Sequence, residues 1–288
     1  MLELKNIVHS ELDPTQKFLF LNDEKKALEV SYIDNGTGKD IICVPTQHGC
    51  SQGCLFCHLT DLGASRVGDV LNTDIVEAVQ KVREELGLGT ERPLLISYMG
   101  AGEPLCTQVE DLYESMKELS KIHPKIRFAL STTLPEGYEE EFIFLGKLVK
   151  EAGINLKIHL SLHFTQDIQR QKWLPKTGRI KPSLDLLEWY RDYTGNAVEI
   201  HYTLIDWIND RDQDIAELDL LLGRRSITLK LLEFNPKSGL NAKPSGKAEK
   251  FTKALSPNFV VEVYTPPGRD IGASCGQFDL DSYRNPLG

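Results

Sequence analysis

The chain has 288 residues, 41% of them hydrophobic, and a formal net charge of −9. That is enough apolar material for one large α/β domain or two small ones, and the acidic balance argues against a broad nucleic-acid-binding surface. No run approaches the roughly 18 apolar residues of a membrane span, the N-terminus has no secretory pattern, and six cysteines do not make a disulfide-dense scaffold. The expected compartment is the reducing cytoplasm, with no membrane partner.

Residues 1–40 read as a small β-rich cap. Apolar-rich segments at 17–21 and 27–33, joined by Asn22-Asp23-Glu24, suggest a hairpin, and Asn35-Gly36-Thr37-Gly38 a turn. A short buried strand at 41–44 then feeds a cysteine-rich loop. Beyond it come a helix over 74–86 stopped by Gly87, a strand at 94–98, a helix at 109–122 and a strand at 126–131. A helix at 139–152 ended by Gly153, a strand at 156–162, a helix at 182–193 and a strand at 198–205 follow. A helix at 212–222, a strand at 227–234 and a short strand at 260–264 complete the series.

Strands alternating with helices predict a parallel sheet, and right-handed crossovers would curl it toward a barrel over 41–265, with a C-terminal segment at 266–288. Residues 237–250 read as a flexible basic loop. Arg170, Lys172, Lys176, Arg179 and Lys181 form either a phosphate-facing patch or an ordinary charged helix surface.

In the loop, Cys50, Cys54 and Cys57 stand in a C-x3-C-x2-C spacing, which turns three soft thiolates toward one point. Iron–sulfur clusters usually take four cysteines, so three would leave one iron open to another ligand. A structural zinc would need His48 or His58 to complete its set, and buried unligated thiols are the third reading. Chemistry in parallel barrels sits at the C-terminal strand ends. There lie the cysteine loop, Gly100-Ala101-Gly102-Glu103-Pro104, Ser131-Thr132-Thr133, Ser161-Leu162-His163 and Phe234-Asn235-Pro236. Taken singly each has a bland reading: a tight turn, strand-end caps, a structural histidine. Glu29 could equally be a solvated strand acid, and Cys275 a packed apolar thiol.

The cysteine spacing, with Phe56 before the last cysteine, resembles the signature of the radical S-adenosylmethionine (SAM) superfamily. Further segments resemble its RlmN/Cfr-type methylcysteine-dependent (class A) RNA adenine methyltransferases. They are Cys43 seven residues upstream of Cys50, Met99-Gly100-Ala101-Gly102-Glu103-Pro104-Leu105, Ser161-Leu162-His163, Gly268-Arg269-Asp270-Ile271 and Ala273-Ser274-Cys275-Gly276-Gln277. The resemblance covers about residues 28 to 278. It implies an α/β fold, a partial (β/α)6 TIM-like radical SAM barrel behind the β-rich cap.

It also implies a [4Fe-4S] cluster on Cys50, Cys54 and Cys57, and SAM held by Gly100, Gly102, Glu103, Ser131, Ser161, His163 and Asn235. Met99 would lie beside the reacting carbon, Glu29 would bind an adenine amino group or act as general base, and Cys106 would only pack. In the implied chemistry one SAM methylates Cys275 and a second is cleaved to a radical that takes hydrogen from the S-methyl group. The resulting methylene adds to an sp2 carbon, adenine C2 or C8 in RNA. Cys43 then releases the product and forms a Cys43–Cys275 disulfide. An electron donor such as flavodoxin or ferredoxin is implied. The family's N-terminal helical domain has no expected counterpart here, so a smaller RNA element, a docking partner or a nucleotide-like or other heteroaromatic small molecule stays open, as does non-methylating radical chemistry.

Overall fold

The computed structural model describes residues 1–34, 36–63 and 66–284, so Asn35 of the expected turn lies outside the described residues. An antiparallel meander comes first: β1 (Glu3–His9), β2 (Gln16–Leu21), β3 (Ala27–Ile33) and β4 (Asp40–Cys43). β1 had no counterpart in the sequence reading, because it is an edge strand whose side chains are mostly exposed and show no apolar alternation. A small two-stranded sheet, β5 (Gln47–Gly49) with β6 (Arg66–Asp69), then brackets the cysteine loop.

The alternating part follows as α1 (Asn72–Glu85), β7 (Leu94–Tyr98), α2 (Val109–Ser120), β8 (Ile126–Thr132), α3 (Glu139–Ala152) and β9 (Leu156–Ser161). It continues through α4 (Asp167–Trp173), α5 (Ile180–Thr194), β10 (Val198–Leu204), α6 (Asp212–Leu222), β11 (Thr228–Glu233), α7 (Ala248–Leu255) and β12 (Val261–Tyr264), with α8 (Leu280–Arg284) last. The expected partial barrel is an open parallel array, β4-β7-β8-β9-β10-β11, with short β12 beyond it. The meander extends the same sheet, making ten strands with β1 and β12 as its two ends.

Side chains along a strand alternate between faces. One face is apolar: Ile42, Ile96, Leu130, Ile158, Ile200 and Leu231 are buried under the helices, against Val79, Leu112, Phe142 and Leu187. The other face turns Cys43, Ser97, His159, His201 and Lys230 toward the concave interior. Among the described residues no helix is long and apolar enough to cross a membrane. The basic loop expected at 237–250 is shorter than anticipated, since α7 begins at Ala248.

Candidate active site

The cysteine loop leaves β5 and is pinned from three directions. Leu55 N–H donates to Trp173 O (2.9 Å) and His58 N–H to Gly276 O (2.8 Å). The Lys237 ammonium donates to Leu55 O (3.2 Å) and Cys57 O (2.9 Å), and pairs with Asp61 at 2.8 Å. Lys237 is thus a buried tether rather than part of a solvated basic loop.

Cys50, Cys54 and Cys57 are half-buried, in no disulfide, and face one cavity. Burial pushes the Cys50 thiol up to about 12, the Cys57 thiol to about 11 and the Cys54 thiol well above its usual range, neighbouring sulfurs adding to the first and third. Crowded buried thiolates need cationic charge between them, which an iron–sulfur cluster supplies. One zinc would draw its sulfurs to about 3.8 Å apart. Among the described residues, three such donors come within 4.8 Å of one another at His159, Glu199 and His201, not at the cysteines. The two candidate fourth ligands are also engaged, His48 with Ala27 O (3.0 Å) and His58 with Phe278 N–H (3.5 Å). The donor set therefore fits a cluster and not a single zinc.

The same cavity is lined by Met99, Gly100, Gly102, Glu103, Ser131, Ser161, His163 and Asn235. The glycines serve the chain itself as well as the cavity. A Cβ on Gly100 would meet the Val44 carbonyl and Pro45 N at 2.7–2.8 Å, and one on Gly102, at φ +110°, would meet Thr46 Oγ1 at 2.6 Å. The Glu103 carboxylate accepts from Thr132 Oγ1 (2.6 Å), Thr133 N–H (2.9 Å), Thr133 Oγ1 (3.0 Å) and Leu105 N–H (3.4 Å). Its lone pairs are largely spent on the end of β8, while burial raises its pKa.

His163 sits at φ +55°, with Nδ1 accepting from Thr203 N–H (3.0 Å) and its ring edge-on to Phe56 at 5.2 Å. Burial holds it neutral, with a pKa lowered to about 3, so the proton is on Nε2. Ser131 and Ser161 hydroxyls face each other at 3.4 Å. Asn235 donates Nδ2–H to Cys275 O (3.0 Å), while its buried Oδ1 has no partner. An orphaned acceptor in this wall suits an amino group of bound SAM.

Arg170 leaves the expected basic patch, whose other members Lys172, Lys176, Arg179 and Lys181 are exposed. It is 0% exposed and donates to Leu162 O (3.1 Å), Thr133 O (2.7 Å), Ser161 O (3.1 Å) and Gly178 O. It ties the ends of β8 and β9 from behind, a role invisible in sequence because all four partners are main-chain carbonyls.

A second lobe of the interior is lined by Glu29, Cys43, Met99 and Cys275. Cys275, Met99 and Gly100 line both lobes. The Cys275 side chain is accessible from the cavity, but its depth in the barrel raises its pKa by desolvation. Burial pushes the Cys43 thiol up to about 12, and the charge of the Cys275 thiolate adds to this, so the two sulfurs lie within electrostatic reach. Glu29 is 6% exposed, beside the Lys17 ammonium at 3.4 Å and accepting from Asp279 N–H at 3.1 Å. It is not a solvated strand acid; burial raises its carboxyl to about 7.

An open parallel barrel with a three-cysteine loop at its mouth defines a class of cluster-dependent radical enzymes. A family model of the radical SAM superfamily matches residues 44–218. The probable dual-specificity RNA methyltransferase RlmN of Thermosipho melanesiensis is 32% identical over 277 residues, 93% of this chain and 77% of that one. RlmN 2 of Protochlamydia amoebophila is 31% identical over 301 residues, covering 100% and 80%. The crystal structure of a radical SAM methyltransferase from Sphaerobacter thermophilus superposes with a TM-score of 0.80 at 25% identity, covering 96% of this chain and 80% of that one.

The chain belongs to the radical SAM superfamily and, within it, to the RlmN group. It is a radical SAM methyltransferase, and its cofactors are a [4Fe-4S] cluster and SAM.

Proposed function

We propose that the chain transfers a one-carbon unit from S-methyl-Cys275 to an sp2 carbon of a purine-type ring, adenine C2 or C8 in RNA, and resolves the adduct with Cys43. The observation that carries this reading is the position of Cys275 in the wall shared by the two lobes. On one side are the three loop cysteines and the polar strand ends; on the other are Cys43 and Glu29. RNA enters from the names of the curated relatives.

Cys50, Cys54 and Cys57 would hold the cluster, and the Gly100–Glu103 turn, Ser131, Ser161, His163 and Asn235 would hold SAM. Together these groups supply, when bound and reduced by a donor such as flavodoxin or ferredoxin, a radical able to take hydrogen from a methyl group. The chain's own residues do the rest. Asn235 fixes the Cys275 carbonyl, so the sulfur stays at the junction. Met99 packs at the same junction and excludes water. Glu29, with a carboxyl near neutrality, takes the ring proton or holds an exocyclic amino group. The radical adduct carries one electron more than the product needs, which the oxidised cluster, when bound, would accept. Cys43 then attacks Cys275 Sγ: a disulfide forms, the sulfur–carbon bond to product breaks with its electron pair on carbon, and that carbon is protonated.

A second reading, a free nucleotide-like or other heteroaromatic substrate, is favoured by the ionic floor of the second lobe described below. Mass spectrometry of the peptide bearing Cys275, from cluster-loaded protein, tests the carrier role. One added methyl on Cys275 is expected, absent in Cys275→Ala. An unmodified Cys275 in protein that still cleaves SAM overturns it and leaves non-methylating radical chemistry.

A further inference from the structure

Below Cys43 and Cys275 the barrel interior is charged in a way the transfer chemistry does not use. Three adjacent parallel strands bring His159, Glu199, His201 and Lys230 side by side: Glu199 pairs in register with His159, and His201 with Lys230. Glu199 receives Lys230 at 2.6 Å, Lys157 at 3.0 Å and His201 Nε2 at 3.2 Å. Lys39, at the foot of β4, lines the same lobe, as do Lys230, His159 and Cys275. His159 is 5% exposed, and neither of its ring nitrogens has a partner.

His159, Glu199 and His201 could be read as ligands for a divalent cation, since their donor atoms lie within 4.8 Å of one another. The surrounding charge argues otherwise. The carboxylate already carries two ammonium groups, and Lys39 adds a third cation to the same lobe, so a metal ion would enter a field of its own sign. Lys39, Lys157 and Lys230 outnumber Glu199; Glu29, also on this lobe, is matched by Lys17, and Glu262, 3.7 Å from Lys230, is exposed. Excess positive charge around an unsatisfied imidazole, in a chain of net charge −9, is a recipe for an anion.

We propose that the lower half of this lobe is an anion-binding subsite, formed by Lys39, Lys230 and His159. It receives a phosphate, or a group of like charge, on the substrate whose ring lies between Cys43 and Cys275. This rests on the reading of those two cysteines given above and names the substrate class as an acidic, nucleotide-like molecule. Lys39 lies four residues before Cys43, about 13 Å along an extended strand, the reach of a single nucleotide. The anion need only answer the lysine charge that Glu199 leaves unmatched, and His159 gains the partner it lacks.

Calorimetric titration of the cluster-loaded protein with inorganic phosphate, AMP, adenosine and a short oligoribonucleotide tests it. One phosphate is expected per chain, with affinity falling about tenfold in Lys39→Met and in His159→Leu, and unchanged in Lys117→Met on α2. AMP binding more tightly than both phosphate and adenosine would assign the anion to a free nucleotide; displacement of phosphate by the oligonucleotide would assign it to a phosphodiester. Lys39 is only half-buried, so Lys39→Met keeps the fold testable if His159→Leu misfolds. Unchanged phosphate affinity in Lys39→Met overturns the proposal, and so does a stoichiometric non-cluster metal that His159→Leu removes. Methylation of Cys275 persisting in Lys39→Met, with phosphate binding persisting in Cys275→Ala, separates this subsite from the carrier role.

Discussion

Glu29 is an acid whose surroundings set its working range. Burial raises it to about 7 against the pull of Lys17, so near neutral pH it is divided between its two forms. If it takes a proton during transfer, the ionised form works, and single-turnover methylation should rise with pH through about 7 and then level off. Glu29→Gln should lower the rate by about 10²–10⁴-fold and flatten that rise. The same shift has a stability sign. A carboxyl raised in the fold above its unfolded value favours folding at low pH, and that contribution is lost as pH rises through about 7. At Cys43 a different outcome follows: Cys43→Ala should leave substrate covalently attached to Cys275, seen as a mass gain under denaturing, non-reducing conditions.

Among elements, the strand ends are held by contacts from behind as much as by the cavity. Arg170→Met should remove four donated bonds; Thr133 O keeps Thr177 Oγ1 and Leu162 O keeps Phe164 N–H, while the loss at the Ser161 and Gly178 carbonyls costs about 1–3 kcal/mol each before relaxation. A large drop in melting temperature is expected together with weaker SAM binding, since the ends of β8 and β9 carry Ser131 and Ser161. Gly102→Ala should cost about 1–3 kcal/mol through overpacking and backbone strain. Much of this scale was legible beforehand. The cysteine loop and the Gly-Ala-Gly-Glu-Pro turn use consecutive residues, so spacing displays them, and the long helices and strands announce their period. Arg170 and Lys237 look like surface charge in the sequence because their partners are mainly main-chain carbonyls, which no residue type announces. The period of two at 198–205 marked a strand, yet nothing in it told that Glu199 and His201 faced inward toward Lys230.

For the molecule as a whole, the sheet is the unit. Because β1–β3 continue the sheet of β4 and β7–β12, the meander and the barrel share one hydrogen-bonded ladder. Thermal unfolding of the described fold should therefore be a single transition, with far-ultraviolet dichroism and tryptophan fluorescence coinciding. A separate early loss of the first strands would contradict it. The local pattern sets residues 1–40 apart as a cap and carries no sign of this continuity, since pairing between strands leaves no mark in it.

The last segment is fastened to the first. Asp270 accepts from Ser10 Oγ and Glu11 N–H at 2.7 Å, Gly268 N–H donates to Asp13 at 2.8 Å, and Asp279 N–H reaches Glu29 at 3.1 Å. On the ribosome, therefore, the three loop cysteines emerge more than two hundred residues before Cys275. The wall shared by the two lobes closes only once Cys275 has been made, so a polypeptide released before it would carry the three loop cysteines without that thiol.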